Sequence, residues 1–135
     1  MSKSIIYTAN TSAQNVAING VISPGSIIRR YGPNLNLSGQ AIQICGAGYY
    51  DIDASITLAP TAAGNVTVTA FLDNVAIPGA TATETATAAN DIINLNLDGV
   101  VREACTCCEG ISNLTFVLTG TAASVTNVAI SVEKL

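Results

Sequence analysis

The stretch "REACTCCEGIS", Arg102 to Ser112, places three cysteines, Cys105, Cys107 and Cys108, within four positions, and Cys45 lies far upstream. Thiolates can bind metal, form disulfides or act as nucleophiles. A tetrahedral zinc site draws four ligands from two separated arms, as in paired C-x-x-C motifs. C-x-C-C is not that spacing, and Cys45 would have to arrive from elsewhere as the fourth ligand. In an extended segment Cys105 and Cys107 project to one side and Cys108 to the other. Free or buried thiols therefore lead, a disulfide follows, and a metal on Cys105, Cys107 and Cys108 comes last.

The rest of the chain is poor in catalytic chemistry. There is no histidine, which removes the commonest general base, the Ser-His and Cys-His nucleophile pairs and the commonest zinc ligand. Asp51 and Asp53, at i and i+2, share one face of an extended segment and could share a Ca²⁺ or a proton. Calcium needs six to eight oxygens, usually with loop carbonyls among them, so a solvated strand face is the leading reading. Glycoside hydrolysis would need two carboxyls across a cleft, with one pKa raised by burial. In "IRRYGP", Arg29, Arg30 and Tyr31 stand together beside a turn. They suit a partner contact, since Arg and Tyr are enriched at interfaces, better than an anion or sugar-acid site. Gly46 and Gly48 in "CGAGYY" precede no helix, so they read as turn residues and not as a phosphate cradle. Neither catalytic residue nor cofactor is expected, and the chain is not read as an enzyme.

The elements that would position these residues are strands. In "YYDIDASITL", Tyr50, Ile52, Ala54, Ile56 and Leu58 alternate with Asp51, Asp53, Ser55 and Thr57, the period of a strand with one buried face. "NVTVTAFLDN" sets Val66, Val68, Ala70 and Leu72 inward and ends on Asp73-Asn74, a hairpin pair, with "VAIPGA" starting the return. "IINLNLDG" places Ile93, Leu95 and Leu97 on one side and closes on Asp-Gly, which predicts another turn. Leu114, Phe116 and Leu118, then Val128, Ile130 and Val132, mark two later strands. Short strands are expected at Ile5-Tyr7, Val16-Ile18, Ile27-Arg29 and Gln40-Cys45, with Pro24-Gly25 and Gly32-Pro33 as turns. In "GATATETATAAN" the face to be buried carries Glu84. Either the threonines face inward, or a bulge lies near Glu84, or the strand is a lightly buried edge.

Nowhere do ten residues show helical spacing. About eight to ten short strands predict an all-β antiparallel sandwich or barrel, and 135 residues make one domain with one core. Charged residues are 10% of the chain, against about 25% in an average soluble domain, so the surface must be Thr, Asn, Ser and Ala. Interface centres are depleted in charge, and low charge fits a surface partly covered by copies of the chain. The net charge of −4 and the lack of a clustered basic face exclude nucleic acid. No apolar run approaches the roughly 20 residues that would cross a membrane. The N-terminal "MSKSIIYTANTSAQNV" turns polar too early for a signal peptide, which predicts synthesis in a cytoplasm, where thiols stay reduced.

"CGAGYYDIDASITL", "GNVTVTAFLDNVAIPGATATETA" and "NLTFVLTGTAASVTNVAISVEKL" together resemble the compact trimeric jelly rolls of the C1q and tumour-necrosis-factor type, in the versions found in phage virions and on bacterial spore surfaces. The likeness covers roughly residues 40–135, and residues 1–39 read as irregular N-terminal strands of the same domain. The resemblance implies a single antiparallel jelly-roll β-sandwich assembled as a homotrimer. Gly48-Tyr49-Tyr50 would open a central strand, and Val128 to Leu135 would end near the trimer axis, which makes Tyr49, Tyr50 and Leu135 trimer-interface candidates. There is no collagen-like or coiled-coil stalk, and the cysteine cluster is not part of the pattern. The implied function is a non-enzymatic virion protein that decorates a phage capsid or forms a short head or tail projection. Its partners would be itself and the major capsid or other virion proteins. The alternatives are a receptor- or carbohydrate-binding tip that contacts a host-surface glycan, or a spore or cell-surface protein of bacterial origin.

Overall fold

The computed structural model describes residues 3–103 and 111–135. Eleven strands and no helix make up these residues: β1 (Ile5–Asn10), β2 (Gln14–Val16), β3 (Ser26–Tyr31), β4 (Leu35–Ser38), β5 (Ala41–Cys45), β6 (Gly48–Pro60), β7 (Gly64–Leu72), β8 (Val75–Ala86), β9 (Ile93–Glu103), β10 (Ile111–Thr119) and β11 (Ala123–Lys134). Cys105, Cys107 and Cys108 lie outside the described residues. All named strand pairings are antiparallel. One sheet runs β3-β1-β11-β6-β9, with β2 also on β11, and the other runs β4-β5-β10-β7-β8.

Period-two alternation decides which side chains lie between the sheets. Tyr50, Ile52, Ala54, Ile56 and Leu58 of β6 are buried, as are Val66, Val68 and Ala70 of β7, Ile93, Leu95 and Leu97 of β9, Leu114, Phe116 and Leu118 of β10, and Val128, Ile130 and Val132 of β11. These belong to one continuous apolar core, joined by Ile6, Ile22, Leu35, Ile42 and Ile44 from the first forty-four residues. The N-terminal portion is thus part of the same sandwich.

The β7–β8 hairpin turns on Asp73 (φ 51°) and Asn74 (φ 66°), the two left-handed central residues of a type I′ turn. The Asp73 carboxylate also accepts the Asn113 backbone N–H at 2.9 Å, tying the turn to β10. Asp98-Gly99, in contrast, is no turn, because β9 runs through it to Glu103. A Cβ on Gly99 would lie 3.1 Å from Ala80 Cβ, so the glycine serves the close approach of β8 and β9 at the margin where the two sheets meet. The expected Val16-Ile18 strand lies slightly earlier, at Gln14–Val16.

Strand β8 resolves the Glu84 question as an edge. It is the outermost strand of its sheet, and Thr81, Thr83, Glu84 and Thr85 are exposed. The register shift lies between Thr69 and Phe71 of β7, not at Glu84. Pro78 and a charge on an edge strand discourage further strand pairing. The outer face of this sheet is dressed with hydroxyls that bond one another: Thr67 with Thr83 at 2.9 Å, Thr69 with Thr81 at 2.9 Å, and Thr85 to Asn65 at 2.7 Å. That ladder is how the chain builds a polar surface with so few charges.

Candidate functional site

No helix among the described residues is long and apolar enough to cross a membrane, which says nothing of a β-barrel. Nor is any group of three or more His, Cys, Asp or Glu side chains among them placed to hold a metal. The Cys45 thiol is free and half-buried on β5. The chemistry that remains gathers on the outer face of the β3-β1-β11-β6-β9 sheet.

Cross-strand register builds this face row by row. One row runs Tyr31, Ile5, Glu133, Asp51, Val100, and the next runs Arg29, Tyr7, Ser131, Asp53, Asp98. Below them Ser26, Ala9, Ala129, Ser55 and Asn96 form a third row of mostly small residues. Around Tyr7, Asp53, Ser55, Asp98, Ala129 and Ser131 the surface dips into a shallow depression of about 340 Å³. Asp51 and Asp53, which share this face as their spacing predicts, are joined by Asp98 and Glu133 from the neighbouring strands. Partial burial raises the Asp53 carboxyl above its ordinary value, and the carboxylates of Asp51, Asp98 and Glu133 push it the same way. The two added acids occupy the polar phase of their own strands, but only the register brings them together.

The residues named from the sequence divide sharply. Tyr49 and Leu135 are exposed, at 54% and 70%, and meet at one end of the sheet, where the Leu135 N–H donates to the Tyr49 carbonyl at 2.8 Å. Tyr50 is 0% exposed and has no surface to give to a neighbouring subunit, which corrects its assignment to an interface. Its phenol donates to the Gly46 carbonyl at 2.8 Å and lies 3.3 Å from that of Cys45. Burial pushes that phenol upward in pKa, helped by Cys45 and Glu103, and so keeps it a donor. Arg29, Arg30 and Tyr31 lie on β3, an edge strand whose residues are exposed throughout. Arg30 turns back to donate to the Leu35 carbonyl, whereas Arg29 donates only to Ile28 on its own strand, at 3.0 Å. Tyr31 is 69% exposed and helps to line an open hollow with Lys3, Ser4, Glu133, Lys134 and Leu135.

Where β9 ends and β10 begins, the Ser112 hydroxyl donates to the buried Glu103 carboxylate. This bond ties the two sheets together at that end. No arrangement of a nucleophile, a base and an oxyanion-binding group accompanies it on the described residues.

The architecture defines the class: a two-sheet antiparallel jelly-roll β-sandwich. No family model matches the sequence, and no curated protein matches it. Solved structures do match by fold. Murine APRIL aligns with a TM-score of 0.75 at 10% identity, over 99% of this chain and 100% of that one. The globular domain of zebrafish complement 1qA aligns at 0.67 and 6% identity, over 97% and 95% of the two chains. The vertex protein P5 of PRD1 aligns at 0.61 and 12% identity, over 98% and 96%. The alignments extend well beyond residues 40–135, so the first forty residues share in the likeness.

Proposed function

We propose that the chain is a non-enzymatic structural protein that assembles as a homotrimer and decorates a phage capsid or forms a short head or tail projection. The observation that carries self-assembly is the outer face of the β3-β1-β11-β6-β9 sheet. It exposes Tyr7, Tyr31, Tyr49, Val100 and Leu135 around a centre in which Ser55, Ala129 and Ser131 lie beside the acids Asp51, Asp53, Asp98 and Glu133. Exposed aromatic and apolar residues gathered on one sheet face suit burial against another protein surface. The likeness in fold to the PRD1 vertex protein supports a place on a virion, as does the scarcity of charge. Major capsid or other virion proteins would then be the partners beneath it.

Light scattering coupled to size exclusion tests the assembly: the expected mass is three times 13.7 kDa, and a stable monomer at micromolar concentration overturns it. A second reading, a receptor- or carbohydrate-binding tip, draws on the hollow where Tyr31 stands beside Glu133 and Lys134. An aromatic platform with nearby charged groups is suited to sugar. A glycan array separates the two, because a decoration protein gives no signal there.

A further inference from the structure

The sheet face proposed for self-association is electrically lopsided. Four carboxylates, Asp51, Asp53, Asp98 and Glu133, lie on β11, β6 and β9, whereas Arg29 lies on β3 at the opposite margin. β3 and β6 are three strand spacings apart, about 14 Å, and β3 and β9 four, about 19 Å. Both distances exceed the Debye length of about 8 Å at physiological salt, so Arg29 does little to neutralise these acids within its own chain.

The remaining cations do not fill the gap. Arg30 is turned to the Leu35 carbonyl. The Lys134 side chain lies over Gly48, and Lys3 lies beside Glu133 in the hollow at the end of the sheet, four residues before Tyr7 and about 13 Å along the strand from the row of Asp53. Arg102 lies four residues beyond Asp98 on β9, about 13 Å along the strand. Asp53 and Asp98, a directly paired couple, thus face each other with Arg29, three and four strands away, as the one cation of their own chain in their row.

Arg29, Tyr7, Ser131, Asp53 and Asp98 stand in a single row across the sheet, so cation and acids lie at the same height along the strands. A rotation axis parallel to the strands changes no height. It can therefore carry the β9 margin of one protomer onto the β3 margin of the next with these groups level. The apolar residues fall in the same sense: Tyr31 and Ile28 are exposed at the β3 margin and Val100 at the β9 margin.

We propose that neighbouring protomers pack with Arg29 of one chain against Asp53 and Asp98 of the next, so that each acidic margin is neutralised by a neighbour's guanidinium. This rests on the self-assembly reading and adds its polarity and specificity. Arg is suited to the role because its planar fork can serve two carboxylates at once. A desolvated pair of this kind is costly to break from one side only.

The test is a charge-swap cycle on the full-length chain, read as the dilution midpoint of the assembly by light scattering, with far-UV circular dichroism confirming that each protomer folds. Arg29→Glu and Asp53→Arg should each raise the midpoint concentration by about tenfold or more, equivalent to roughly 1.4 kcal/mol. The double variant, with the charges exchanged, should recover to within about threefold of the original, since coupled residues are non-additive. Single variants that assemble at the wild-type midpoint, or a double variant no better than its worse parent, overturn the pairing while leaving the trimer intact. A wild-type chain that is monomeric throughout overturns the self-assembly reading as well, so the two failures are distinguishable.

Discussion

Replacing Tyr50 with Phe removes one buried oxygen and leaves every ring contact in place. The phenol is fully buried and donates to the Gly46 carbonyl at 2.8 Å. The Cys45 carbonyl, 3.3 Å away, keeps a second donor, the Asn34 side-chain amide at 2.7 Å. The substitution therefore orphans one carbonyl and not two. One neutral buried hydrogen bond is worth about 1 to 1.5 kcal/mol, which for a domain of this size lowers the thermal midpoint by about 3 to 5 °C. The assay is thermal unfolding by circular dichroism at one fixed protein concentration, because association itself shifts the midpoint. Light scattering on the same samples should return the wild-type mass. A midpoint within about 1 °C of wild type would mean that the hydroxyl holds nothing. A changed mass would mean that Tyr50 does reach a subunit contact, and the burial argument would fall.

Two further substitutions probe the protomer. Thr8 is buried on β1 and its hydroxyl has no hydrogen-bond partner; Thr8→Val keeps the shape, removes an unsatisfied group, and should raise stability by about 1 kcal/mol, seen as a higher urea midpoint with unchanged slope. The Asp91 carboxylate accepts from the Thr87 hydroxyl at 2.7 Å and from the Thr87 and Ala88 N–H groups at 3.1 Å, and these bonds hold its pKa below the ordinary carboxylate value. Because the folded value is the lower one, the stabilisation is present above the unfolded pKa and is lost as pH falls through the folded one. Asp91→Ala should therefore lower the urea midpoint at pH 7 and converge with wild type in strong acid; a constant gap at all pH values would show that the carboxylate charge plays no part.

The alternation in β6, β7, β9, β10 and β11 was legible because each of these strands buries one face and wets the other, so hydrophobicity itself writes the period. The same row that placed Tyr50 inward beside Ile52 and Ala54 argued against an interface role for it. Adjacent tyrosines on a strand point opposite ways, and only Tyr49 was free to face out. Asp98-Gly99 misled for a different reason. The dipeptide favours a turn, but the same missing Cβ also lets Ala80 approach within a sheet, and only the tertiary packing chooses between the two. Strand β3 carried no alternation because it is exposed along its length, so its place at a sheet margin was illegible. The acidic cluster was half-legible: Asp51 and Asp53 declare themselves by spacing, whereas Asp98 and Glu133 join through pairings between segments far apart in sequence.

The two outer faces handle polarity in opposite ways. On the β4-β5-β10-β7-β8 sheet the threonine hydroxyls of β7 and β8 satisfy one another across the strands, so that surface asks little of any partner. On the other sheet four of the nine acids in the chain crowd onto three adjacent strands. Like charges brought together raise the free energy of the isolated protomer, and a partner that delivers a cation lowers it. In a chain with so few charges, placement says more than number: the face that concentrates them is the one whose electrostatics another copy can complete.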